Sequence, residues 1–390
     1  MAVDAPGDAG QDRPPVPSPP AARAWRISLT VVTVLVLTVC GVLSLTAVTM
    51  EIGLTGLLPG ILLAAVPVGP VLACVVWLDR YEAEPPHLLA FAFGWGACVA
   101  SLGALVLNSL SYDLLVDAVG DVTNTSVVVA PVVEEVLKGL GVLLLVLAQR
   151  RQFDGVVDGI VYAAFVGVGF AFLENILYLG RALGSDGGAG LVAVFVLRCL
   201  VSPFAHPLFT MAVGVGLGLA VRGRGPLRRV GAPVLGLLVA IGLHALWNLS
   251  ASGAAATFIE FYLLLQLPVF VCAVGVALAA RVRESRVVSR HLQVYVRAGW
   301  ISGEEVHMLS SPARRREAVA SARRVGGRTA ALAVRDFAET ATDLAFRRDR
   351  VARGVVGAVP AAELADLHRL AAARAVAVAL LHGADPRTRL

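Results

Sequence analysis

The sequence predicts an all-α polytopic membrane protein, a bundle of about eight transmembrane helices followed by a cytoplasmic helical C-terminal region. Three observations lead there. Of 390 residues, 57% are hydrophobic and 16% charged, and a mean hydropathy of +0.77 lies far from soluble globular composition. Apolar runs of roughly the 20 residues needed to span a bilayer recur near 27–50, 52–78, 88–110, 127–148, 156–179, 194–220, 230–250 and 257–280. Lys and Arg fall in alternate loops. Arg23 and Arg26 precede the first run, Arg80 follows the second, and Arg150 and Arg151 follow the fourth. Arg222, Arg224, Arg228 and Arg229 follow the sixth, and Arg281 and Arg283 the eighth. The intervening loops carry almost none, Arg181 excepted. Cytoplasmic loops collect such residues, so both termini are expected in the cytoplasm of a multi-pass cell-membrane protein.

In chain order, residues 1–26 read as a disordered cytoplasmic tail rich in Pro, Ala and Asp, too far from the first hydrophobic run to be a secretory leader. Residues 27–280 form the membrane domain. The acidic, proline-stopped loop from Leu78 to Pro86 delays the third span and reads as a cytoplasmic turn rather than a substrate contact. Asp154 and Asp158, one helical turn apart, read as interfacial carboxylates facing Arg150 and Arg151 rather than as a metal pair. From 281 to 390 no run is both long and uncharged, which marks a cytoplasmic basic helical region. Ser302-Gly303-Glu304-Glu305 is a capping box, and Ser311-Pro312 is an N-cap followed by Pro at the first helical position. Arg314, Arg315, Arg316, Arg323 and Arg324 are expected on one basic face. The net charge of +5 is thus explained by topology, without nucleic acid. Five cysteines, all in apolar runs and without paired spacing, indicate neither a disulfide framework nor a thiolate metal site.

The fourth run breaks the apolar rule. Ala130-Pro131-Val132-Val133-Glu134-Glu135-Val136-Leu137-Lys138 puts three charges in a spanning segment, where each costs at least about 2.5–3.5 kcal/mol at the bilayer centre. Glu134 and Lys138 are four apart, hence expected to pair on one face, with Glu135 pointing about 100° away. Three later spans carry polar groups able to bind a metal: Glu174 with Asn175, His206 between Pro203 and Pro207, and His244 with Asn248. At 1.5 Å per residue, Glu134, Glu174 and His244 fall about 7–10 Å below the outer face if their spans end near Ser126, Leu179 and Ser250. His206 lies at that level or nearer the midplane. The prolines around it interrupt the backbone ladder, which membranes tolerate where the freed groups line a cavity.

Carboxylate and imidazole donors without thiolate suit Zn²⁺ in an open catalytic arrangement. Glu174, His206 and His244 are the expected ligands, Glu134 the preferred general base with Glu135 assisting, and Asn248 an amide donor to an oxyanion. These parts describe metal-assisted amide hydrolysis. A non-catalytic scaffold or proton-coupled transporter is the alternative use of the same cluster, although the paired broken helices of many transporters reduce here to one.

These residues resemble a known family. Glu134-Glu135-x-x-Lys138, Phe170-x-x-x-Glu174-Asn175, His206 and His244-x-x-x-Asn248 look like the successive motifs of the PrsW intramembrane metalloproteases, distant relatives of the CAAX prenyl endopeptidases. The resemblance covers roughly Leu78 to Leu249. It implies a zinc-dependent endopeptidase acting on membrane-anchored proteins near the outer side of the membrane, with regulators of the anti-sigma-factor type as the substrates to expect. It maps the family's acidic pair to Glu134 and Glu135 and its histidine to His206. Where the CAAX relatives have Phe-x-x-x-His, this chain has Glu174. The oligomeric state does not follow from it.

Overall fold

A computed structural model describes residues 19–79, 84–119, 125–149, 153, 155–223, 225–252, 255–354, 357 and 359–383. Arg80, Arg150, Arg151 and Asp154 lie outside them, as does the tail up to residue 18. The described residues are helical and contain no strand. The membrane part comprises α1 (Pro19–Leu78), α2 (Pro86–Gly94), α3 (Ser101–Val119), α4 (Ala130–Ala148), α5 (Val156–Phe195), α6 (Ala205–Arg222), α7 (Ala232–Ala251), α8 (Ala255–Phe261) and α9 (Leu267–Arg297). Beyond it come α10 (Gly303–Leu309), α11 (Pro312–Ala352) and α12 (Pro360–Gly383). The all-α polytopic bundle predicted from the sequence is what the chain forms.

Five continuous helical stretches among the described residues are long and apolar enough to cross a membrane. Two of them turn at a glycine. α1 bends at Gly53 (φ 65°, ψ 172°) and α5 at Gly187 (φ 64°, ψ −149°), in the left-handed region that side chains other than glycine seldom adopt. Each bend divides its stretch into two limbs. α4 is 19 residues long and falls outside the five because it carries Glu134, Glu135 and Lys138.

The bend at Gly187 corrects one expectation. The fifth segment does not stop near Leu179 but continues to the glycine. What marks the end of the bundle is an ion pair between Arg181 and Glu51, which sits next to the Gly53 bend. Glu174 lies seven residues below Arg181, about 10 Å along the helix.

α5 is the central helix. From Val157 to Phe170 every residue is buried, packed against α1, α2, α6 and the wide π-helical turn Trp95–Ala100 that joins α2 to α3. In lipid the apolar effect does not drive helices together, so close backbone approach does. Gly159 and Gly214 meet backbone to backbone: a Cβ on either would stand 2.0–2.1 Å from the other's carbonyl oxygen. Gly167 admits the backbone of His206 and Pro207 at 2.8 Å from where a Cβ would be. The first turn of α6 is thereby pressed against the core helix.

The C-terminal helices build a separate core from Val288, Leu292, Leu309, Phe337, Leu344 and Leu370. The capping box forms, with Glu305 N donating to Ser302 Oγ at 3.1 Å and Ser302 N to Glu305 Oε2 at 2.6 Å. The basic face is incomplete. Arg315 is buried, donating to Leu309 O at 2.5 Å and Thr342 Oγ1 at 2.7 Å, because its stem faces the helix pair while Arg314, Arg316, Arg323 and Arg324 stay in solvent. At the other loop, Asp79 accepts the Glu84 amide at 2.8 Å and Glu84 accepts the Tyr162 hydroxyl at 2.5 Å. Both acids shape the turn. Asp158 caps α5 by accepting Gly155 N at 3.2 Å.

Candidate metal centre

α4 brings its three charges inward. Glu134 is 6% exposed, and Glu135 and Lys138 are fully buried. Lys138 Nζ stands 2.7 Å from Glu135 Oε1 and 3.5 Å from Glu134 Oε2, so the closer partner is three residues away rather than four. Residues at both spacings share a helical face, and other helices decide between them. Thr210 Oγ1 of α6 donates to Glu135 Oε2 at 3.1 Å, and His244 Nδ1 of α7 is 3.0 Å from Glu135 Oε1. Glu135 therefore points into the bundle, not 100° away from the pair. Lys138 Nζ also sits 3.9 Å from the centre of the Phe170 ring, a cation–π contact that eases its burial.

His206 begins α6 just after the chain leaves helical geometry at Ser202 (φ −127°, ψ 39°). The break expected from Pro203 and Pro207 is there. Lysine has only donors, so His206 Nδ1, 3.1 Å from Lys138 Nζ, accepts. Nε2 is then left facing Glu174 Oε2 at 2.6 Å. The same Glu174 oxygen takes a bond from Arg198 Nη2 at 2.5 Å, while Arg198 Nε donates to Asn175 Oδ1 at 2.7 Å. Tyr178 backs the guanidinium at 4.2 Å. On α7, the His244 ring stacks on Phe209, centroids 5.0 Å apart, and meets the His206 ring edge-on at 5.1 Å. With Nδ1 directed at Glu135, His244 Nε2 faces Glu134 Oε2 at 3.8 Å.

The four helices expected to meet do meet. Among the described residues, Glu134, His206 and His244 bring donor atoms within 4.8 Å of one another, with Glu134 in the place that the sequence reading assigns to Glu174. Glu134 Oε2 is buried without a hydrogen bond, while Asn108 Nδ2 of α3 reaches Glu134 Oε1 at 3.3 Å. Asn248 stands apart: its amide donates to the Ser126 carbonyl at 2.9 Å, tying α7 to the start of the fourth segment. Beside the cluster a cavity of about 380 Å³ is lined by Ser101, Asn108, Tyr112, Glu134, Glu174 and Tyr178. Arg181 also lines it.

Arg198, Asn108 and Thr210 escape the sequence reading. Arg198 does carry a signal, a charge inside the sixth apolar run, and Asn108 a weaker one, an amide in the third. Thr210 carries none.

The geometry defines a class: a polytopic membrane bundle with a buried carboxylate–imidazole centre beside a polar cavity. Comparison with known sequences shows which family the chain is similar to. Residues 84–273 match the PrsW family intramembrane metalloprotease model, a range that holds every residue of the cluster. The chain is similar to Protease PrsW of Clostridioides difficile (strain 630), 32% identical over 37% of this chain and 60% of that protein. It is also similar to Protease PrsW of Geobacillus kaustophilus, 33% identical over 36% and 58%, and of Bacillus subtilis, 34% identical over 36% and 60%. The chain thus spans about three fifths of the length of the curated relatives it matches. No solved structure matches. The resemblance read from the four motifs stands.

Proposed function

We propose that the chain is an intramembrane zinc endopeptidase that hydrolyses membrane-anchored proteins. The observation that carries this is the mutual approach of Glu134, His206 and His244 around a buried carboxylate oxygen that has no hydrogen bond. One carboxylate and two imidazoles suit zinc, and the His244 Nδ1–Glu135 contact is the support that metal-binding imidazoles commonly receive. Bound there, zinc polarises a carbonyl and lowers the pKa of its water to about 7.

The chain's own groups take the remaining roles. Glu134, His206 and His244 would hold the metal. Glu174, which lines the cavity and is oriented by Arg198, takes the proton from the attacking water and passes it to the leaving amine. Arg198 also borders the small recess beside His206, where a cation offsets charge growing on the carbonyl oxygen. Glu134 and Glu174 thereby exchange the roles that the sequence suggests, because Glu174 Oε2 is already bonded to Arg198 and His206 whereas Glu134 Oε2, though 3.5 Å from Lys138 Nζ, makes no hydrogen bond. The run of Arg222, Arg228 and Arg229 at the other end of α6 supports a cavity facing away from the cytoplasm, and with it cleavage near the outer face.

The test uses purified full-length chain, zinc and a membrane-tethered reporter peptide in proteoliposomes. Cleavage that stops with chelator and returns with zinc is expected. Cleavage unaffected by chelator, or proton-coupled flux with no cleavage, contradicts the proposal.

A further inference from the structure

Further along α4 from the metal centre, between the same α4, α6 and α7, lies a cleft that the peptidase reading does not use. α4 forms one wall with Val136, Leu140 and Leu147, α6 the floor with Leu217, and α7 the other wall with Val234 and Leu237. Its volume is about 800 Å³. Among the described residues one charged residue borders it, Arg229, at the end where α6 passes into α7. Arg229 is exposed and pairs with no carboxylate among the described residues.

The cleft has a closed end and an open one. Near its Val136 end α4 and α7 are drawn together by the Glu135–His244 contact at 3.0 Å, and further on by the Asn248–Ser126 hydrogen bond. From Val136 to Leu147 the wall is eleven residues, about 16 Å. That is half of the roughly 30 Å hydrocarbon core, the depth of one leaflet. A spanning helix needs the whole thickness and would meet the closed end. An acyl chain needs half.

We propose that this cleft is the seat of one phospholipid of the leaflet on the Arg229 side, its acyl chains along Leu140 and Leu217 and its phosphate at the Arg229 guanidinium. The match is one of length and of charge: apolar walls one leaflet deep, and, among the described residues, one cation without a carboxylate partner where the phosphate falls. The inference rests on the bundle alone and holds whether or not the chain cleaves peptides.

Native mass spectrometry of the full-length chain, purified in mild detergent and incubated with phosphatidylglycerol, tests it. One tightly held lipid per chain is expected. Arg229→Gln should weaken retention about fivefold, the effect of one surface cation on an anionic headgroup, and Leu140→Trp, which fills the cleft from its half-exposed wall, should abolish it. Leu144→Trp, also half-exposed on α4 but outside the cleft, should retain the lipid and serves as the insertion control. Retention equal in all four proteins, or no retained lipid in the wild type, overturns the proposal. So does a photo-crosslinker at Leu140 that captures the helix of a co-reconstituted single-span protein and no lipid.

Discussion

Lys138 on α4 and His206 at the start of α6, 68 residues apart in the chain, meet with Nζ 3.1 Å from Nδ1. One fully buried ammonium therefore serves two elements: it neutralises Glu135 at 2.7 Å and, by donating to Nδ1, turns the Nε2 face of the imidazole toward Glu174 and the cavity. The ion pair of α4 and the imidazole of α6 are one network.

Removing the ammonium should expose the cost of that network. Lys138→Met leaves Glu135 buried and uncompensated, and losing one partner of a buried pair costs about 3–5 kcal/mol. Thermal unfolding in detergent should show a lower midpoint for Lys138→Met, recovered in large part by Lys138→Met with Glu135→Gln. A double variant no more stable than the single one would show that Glu135 is not the partner that matters.

The two exposed-to-cavity carboxylates should separate by readout. Glu134→Gln is expected to lose zinc along with activity. Glu174→Gln should keep zinc while peptide cleavage drops about 10²–10⁴-fold, the usual contribution of a general base. The reverse pattern would return Glu174 to the ligand set and Glu134 to the base.

Glu135 touches His244 at 3.0 Å and is proposed to act through it. Glu135→Gln should reduce zinc affinity about 10–100-fold, as loss of such supporting partners does, with the fold retained. Competition against a colorimetric chelator reads this directly, and an unchanged affinity would make Glu135 a packing charge only.

The glycine contact between α5 and α6 should tolerate nothing larger. A side chain at Gly214 meets the Gly159 carbonyl, so Gly214→Leu must push α6, and with it His206, away from the core. Overpacking of this kind costs about 1–3 kcal/mol or more. Size-exclusion chromatography in detergent should show loss of monodisperse protein, and a well-behaved variant with full zinc content would contradict the packing argument.

Much of the bundle was legible because lipid imposes a simple rule: every backbone group must be satisfied within its own segment, so apolar runs of spanning length read as helices. Glu134, Glu135, Glu174, His206 and His244 stood out because charge and imidazole are costly in those runs. What did not transfer was direction. Whether Lys138 prefers Glu134 or Glu135 depends on Thr210 and His244, which no spacing within α4 reveals. Nor does the sequence reveal that Arg198, 24 residues on, reaches the Glu174 carboxylate. The ends of segments were also misplaced where a helix ran on, as α5 does to Gly187, because Gly, Ser and Asp near the aqueous face resemble a loop in composition.

Zinc content tests the central claim most directly. Full-length protein purified without added chelator should carry one zinc per chain by elemental analysis, with an X-ray absorption edge showing nitrogen and oxygen donors and no sulfur. The His206→Ala/His244→Ala double variant, still monodisperse, should carry none. A wild-type chain free of metal after zinc loading, or a double variant that holds as much zinc as the wild type, would contradict the account.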